Sequence, residues 1–149
     1  MKKIFFLPFI SVLLMSCSSN SNSNQNPYIP NYPVSLTINL DLPQYNDLKF
    51  PSNAIYQLGQ GAKGIFVINT GSGYNAFDAA CPNQALSDCS TMGFKKLDPS
   101  DVLKVDKTTV VCPCDQAEYN LFSGQSAGKK YPLKQYRVEV NQNVLRIYN

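Results

Sequence analysis

Between Val34 and Leu42 the chain reads VSLTINLDL, with Val34, Leu36, Ile38, Leu40 and Leu42 alternating against polar residues. Successive side chains of a β-strand point to opposite faces, so this pattern predicts a strand with one face in the core and one in water. AIYQL, GIFVIN, GYNAFDA, TTVVC, EYNLF, YRVEV and VLRIY are also short, rich in β-branched and aromatic residues, and separated by Gly, Asn, Pro and Asp. NTGSG and VNQNV have the composition of hairpin loops between their flanking strands. No stretch sustains a helical spacing of apolar residues. The expected fold is all-β, an antiparallel sandwich or small barrel.

Gly59, Gly61 and Gly64 spell G-x-G-x-x-G, a pattern that cradles a pyrophosphate only where a helix follows the glycines. Here GIFVIN follows, so the glycines are expected to form a turn between strands. Lys and Arg number 13 against 10 Asp and Glu, a net charge of +3. That charge is small and scattered, with no basic run interleaved with aromatics, which argues against a nucleic-acid partner.

The N-terminus reads as a targeting segment. MKK is a positive n-region and IFFLPFISVLLM an apolar h-region, interrupted by Pro8 and short for a membrane span. Leu14-Met15-Ser16-Cys17 resembles the lipobox of bacterial lipoproteins. The resemblance implies cleavage before Cys17 and acylation of that residue, each buried methylene of the acyl chains contributing about 0.8 kcal/mol to anchoring. Residues 18–33, SSNSNSNQNPYIPNYP, are polar and proline-bearing and read as a tether. The expected organisation is a signal peptide over 1–16, lipidated Cys17 and tether to 33, and a β domain over 34–149. No acidic residues directly follow Cys17, which favours an outer-membrane anchor with the domain facing the periplasm. Disulfides persist in such a compartment.

Of the 5 cysteines, those beyond Cys17 fall into two groups, Cys81 and Cys89 in CPNQALSDC, and Cys112 and Cys114 in CPC. Four cysteines allow three pairings. A Cys112–Cys114 bridge is disfavoured by the reach of residues i and i+2 in extended chain, so bridges between the groups are preferred. The chain has no His, which leaves a cysteine nucleophile without its usual base. No nucleophile–base pair or carboxylate constellation stands out, and no catalytic residue is expected.

From about Ile55 to Asn149 the chain resembles the Rieske iron–sulfur family. The resemblance rests on GIFVIN and GYNAFDAACPN leading into a first loop, VVCPCDQAEYNLFSG as a second, and YPLKQYRVEV before the closing hairpin. In that family C-x-H and C-P-x-H loops at hairpin tips hold a [2Fe–2S] cluster, with two Cys on one iron and two His on the other. The resemblance therefore implies a Rieske-like antiparallel domain with a cluster-type tip, ligand positions at Cys81, Asn83, Cys112 and Asp115, and a Cys89–Cys114 disulfide. Asn83 and Asp115 stand where the family has histidines, and Gln116 where a glycine is usual. STMGFKKLDPSDVLKVDK lengthens the span between the loops and is expected to be a surface excursion.

An amide oxygen and a carboxylate are poor substitutes for imidazole on cluster iron. The leading expectation is accordingly a cofactor-free domain in which Cys81 and Cys112 form a second disulfide. It would serve as a binding or accessory module for an envelope protein. The alternative is an electron-transfer protein with an atypical [2Fe–2S] site at Cys81, Cys112, Asp115 and Asn83; a third reading is a thiol–disulfide module using Cys81 and Cys112. Asn83 and Asp115 also suit loop-tip turns, their side chains bonding the backbone two residues on. Tyr119, Phe122, Tyr131, Tyr136 and Tyr148 are expected to pack within and across strands.

Overall fold

A computed structural model describes residues 26–149. The signal segment, Cys17 and the first part of the tether lie outside the described residues. The strands are β1 (Ser35–Asn39), β2 (Ala54–Gln57), β3 (Ile65–Asn69), β4 (Tyr74–Asp78), β5 (Gly93–Asp98), β6 (Asp101–Val111), β7 (Glu118–Asn120), β8 (Gln135–Asn141) and β9 (Val144–Tyr148). They form a six-stranded sheet in the order β1-β9-β8-β4-β3-β2 and a three-stranded sheet β5-β6-β7. Every named pairing is antiparallel. The fold is all-β, with 3-10 turns at Pro43–Lys49 and Asp88–Ser90.

All five residues of β3 are buried, and their alternation divides the core in two. Phe66 and Ile68 join Phe77, Val110, Tyr119, Leu121 and Leu133 in a cluster that includes residues of both sheets. Ile65 and Val67 face the other way, onto Ile38, Leu48, Tyr136, Leu145 and Ile147. That second cluster draws on β1 and on β3, which lie far apart in the sheet order, so the six-stranded sheet curls around it. Full burial of each such side chain contributes about 1.5–3 kcal/mol. A strand covered on both faces needs a continuous apolar run, which is why GIFVIN lacks the alternation of β1.

Gly64 enters β3 at φ +99, and a Cβ there would lie 2.5 Å from Tyr56 Cε2. The three glycines of G-x-G-x-x-G all have positive φ and lead straight into β3, so the motif is a turn. Buried Asp78 organises this turn, accepting from the backbone N–H groups of Ala62 (2.7 Å) and Lys63 (3.3 Å). It also accepts from Ala80 N–H (2.8 Å) and the Tyr136 hydroxyl (2.7 Å).

Two segments carry structure that the sequence did not mark. The segment expected to be a surface excursion is largely the β5–β6 hairpin, whose pairing shifts register twice. It projects Leu97, Val102 and Leu103 into solvent. Residues 26–33, read as the end of the tether, lie against the domain. Ile29 is buried, the Asn26 amide donates to Pro82 O (2.7 Å) and Lys134 Nζ to Pro30 O (2.8 Å). These prolines and asparagines gain order from contacts with residues far along the chain, which local composition does not encode.

Candidate functional site: a two-disulfide loop tip

One loop, from Ala79 to Met92, leaves β4 of the large sheet; the other, from Cys112 to Ala117, joins β6 to β7 of the small one. The first is anchored at its base by Met92 N–H to Ala79 O (2.8 Å) and Cys81 N–H to Ser90 O (2.9 Å). Ser87 caps the short turn after it, exchanging hydrogen bonds with Ser90. The second is closed by Cys112 N–H to Ala117 O (2.9 Å) and Gln116 N–H to Cys112 O (2.8 Å). Gln116 sits at φ +56, the left-handed region that favours glycine. The loop thus keeps the backbone form for which a glycine would be the usual choice.

The loops are joined twice. Cys81 is bonded to Cys112 and Cys89 to Cys114, with Cα separations of 5.6 and 5.2 Å. Both bridges run between the cysteine groups, resolving the three pairings left open by the sequence. The bridges cross in sequence and lie at different depths. Cys81 and Cys112 are each 1% exposed within the core, whereas Cys89 is exposed and Cys114 half-buried. The sulfurs of Cys81, Cys112 and Cys114 all lie within 4.8 Å of one another.

Asn83 faces a third loop. Its Nδ2 donates to the Tyr119 hydroxyl (2.9 Å) and Tyr131 O (2.7 Å), and its Oδ1 accepts from Tyr131 N–H (2.9 Å). Asp115 accepts from Ala117 N–H (3.1 Å) and from Lys129 Nζ (2.6 Å). Desolvation would raise the Asp115 carboxyl, but hydrogen bonds from Lys129 and Ala117 and the Lys129 charge outweigh it and hold the group below the usual carboxylate range. Burial raises the Tyr119 hydroxyl above the ordinary phenol value against the hydrogen bond from Asn83.

This arrangement does not fit a [2Fe–2S] group. Iron takes thiolate, and the sulfurs of Cys81 and Cys112 are bonded to each other. Both ends of the Asn83 amide are engaged by Tyr119 and Tyr131, and Asp115 is bonded to its own turn and to Lys129. The third gathered sulfur, Cys114, is likewise bonded, to Cys89.

Three residues at the tip escaped the sequence reading. The Gln84 amide donates to Cys112 Sγ (3.0 Å), and Ser87 Oγ lies 3.4 Å from Cys89 Sγ and 3.7 Å from Cys114 Sγ. Lys129 is the third. Nothing marks Gln84 or Lys129 in the sequence, while Ser87 carries a faint signal as a turn former before the Asp88–Ser90 turn. Among the aromatics, Tyr119 and Tyr136 are buried, but Phe122 is 40% exposed and Tyr131 lies in a loop, so the expectation of strand packing fails for those two.

The solved structures to which the chain is similar include a protein described as a nitrite reductase NADPH small-subunit oxidoreductase, at TM-score 0.43 and 20% identity over 76% of this chain and 97% of that one. The complex of reduced oxygenase and oxidised ferredoxin in carbazole 1,9a-dioxygenase gives TM-score 0.45 and 16% identity, covering 78% and 92% of the two chains. The ferredoxin of carbazole 1,9a-dioxygenase from Nocardioides aromaticivorans IC177 gives 0.44 and 14%, covering 77% and 95%. No family model and no curated protein matches the chain.

Proposed function

We propose that the chain is a lipid-anchored, extracytoplasmic protein whose Rieske-type domain carries no cluster and serves as a disulfide-stabilised binding or accessory module for an envelope protein. One observation carries the reading: every residue that the resemblance assigns to iron is committed to another part of the tip. Cys81 and Cys112 are bonded to each other, Asn83 ties the first loop to Tyr131, and Asp115 ties the second to Lys129. Supporting the setting are the lipobox-like Leu14-Met15-Ser16-Cys17, the absence of acidic residues directly after it, and two disulfides suited to an oxidising compartment. The anchor is placed in the outer membrane, with the domain on the periplasmic side.

Two measurements test this. Protein purified without oxygen is expected to be colourless and free of iron and acid-labile sulfide; near-stoichiometric iron and sulfide would contradict the cluster-free reading. Wild-type protein is expected in the membrane fraction, with a chain that begins at an acylated Cys17 by mass spectrometry of its N-terminal peptide. Wild-type protein in the soluble fraction would contradict the anchor.

A further inference from the structure

The two bridges differ in access and sit side by side. Cys89 is exposed, Cys114 is half-buried, and the Cys81–Cys112 bridge behind them is closed to solvent. Cys114 Sγ nevertheless lies within 4.8 Å of both inner sulfurs. Thiol–disulfide exchange needs a thiolate close to a disulfide sulfur and a leaving sulfur that is stabilised as it departs. Gln84 supplies the second condition, since its amide N–H already points at Cys112 Sγ from 3.0 Å.

We infer that the loop tip is a thiol–disulfide exchange site in which the exposed Cys89–Cys114 bridge takes electrons from an external dithiol and Cys114 passes them to the buried Cys81–Cys112 bridge. A thiolate of the dithiol attacks Cys89 Sγ. The Cys89–Cys114 bond breaks, a mixed disulfide forms on Cys89, and Cys114 leaves as a thiolate beside the Ser87 hydroxyl. The second thiol of the dithiol, on losing its proton, displaces Cys89 and departs as the oxidised, cyclic disulfide. The Cys114 thiolate then attacks Cys81 Sγ, so that Cys81–Cys114 forms and Cys81–Cys112 breaks. Attack on Cys112 is disfavoured, because it would join residues i and i+2. Cys112 departs as a thiolate that accepts the Gln84 N–H. The dithiol has lost two electrons and two protons; the protein holds one disulfide and two reduced sulfurs, Cys89 and Cys112.

The proposal rests on the cluster-free reading, and the iron and sulfide assay tests that reading separately. The exchange itself is read from where the thiols appear. The full chain in detergent is treated with limiting dithiothreitol, quenched in acid, blocked with N-ethylmaleimide and mapped by mass spectrometry without further reduction. Labels on Cys89 and Cys112, with Cys81 linked to Cys114, are expected. Labels on Cys89 and Cys114 with the inner bridge intact would overturn the proposal, and so would labels on Cys81 and Cys112 with the outer bridge intact.

Gln84→Leu is expected to slow appearance of the Cys112 label about tenfold while leaving opening of the outer bridge unchanged, as loss of a hydrogen bond to a charged sulfur implies. An unchanged transfer rate would remove Gln84 from the step. In the Cys89→Ser/Cys114→Ser double variant the inner bridge should resist excess dithiothreitol at least tenfold longer than in wild type. Equal rates would mean that solvent reaches it directly. Should that variant fail to fold, the wild-type map decides alone.

Discussion

Asn83 uses both ends of its amide on distant chain, meeting Tyr131 across a sequence separation of 48 and Tyr119 across 36. Asn83→Ala is therefore expected to cost about 2–3 kcal/mol, since it leaves Tyr131 N–H and O half-buried without these partners. A lowered urea midpoint with unchanged slope would register the loss; a shift below about 0.5 kcal/mol would contradict it. Asp115 behaves as the sequence suggests a loop-tip aspartate should, bonding the N–H two residues on. Asn83 does not, because its partners are set by tertiary structure. Tyr136 makes a second prediction. Burial, then the hydrogen bond to Asp78 and its charge, push its hydroxyl above the ordinary value of 10.0. Below pH 10 the phenol is neutral in both states and the contribution is fully present. Above it the unfolded chain ionises while the folded one stays protonated, so stability falls as pH rises. Tyr56, Tyr74 and Tyr119 shift the same way and add to the slope. Tyr136→Phe should reduce the loss of unfolding free energy above pH 10 by up to about 1.4 kcal/mol per pH unit, and an unchanged slope would contradict the assignment.

At the scale of elements, the strands with the strongest composition were legible and the charged ones were not. β1, β2, β3, β4, β7 and β9 fall within segments read from alternation or from β-branched and aromatic runs, and β8 extends one residue beyond YRVEV at each end. β5 and the first half of β6 were missed because FKKLDPSDVLKVDK mixes lysines, aspartates and isolated aliphatics, and its two register shifts break any period of two. The G-x-G-x-x-G turn was legible from the strand-forming GIFVIN next to it, and it carries a prediction. Gly64→Ala combines φ +99 with a Cβ 2.5 Å from Tyr56 Cε2, so it should destabilise by about 2–4 kcal/mol. A thermal midpoint within a degree or so of wild type would show that the turn relaxes without strain.

For the whole molecule, the paired loops tie the six-stranded sheet to the three-stranded one at a single end. Removing the outer bridge with Cys89→Ser/Cys114→Ser, while Cys81–Cys112 still links the loops, opens a closure of only about ten residues and should cost about 2–3 kcal/mol by chain entropy. A loss below about 1 kcal/mol would show that the packed core alone holds the loops together. The tip was legible as a place, because the two cysteine groups and their flanking strands mark it. The depth of each bridge was not, because which sulfur lies buried depends on how the sheets close over Cys81 and Cys112. The central claim is that these two sulfurs are bonded to each other and hold no iron. It is tested most directly by blocking free thiols at the moment of cell lysis without oxygen, then mapping the unreduced protein by mass spectrometry. The account predicts a linked Cys81–Cys112 peptide with neither residue blocked; both residues recovered as blocked thiols, with Cys89–Cys114 intact, would contradict it.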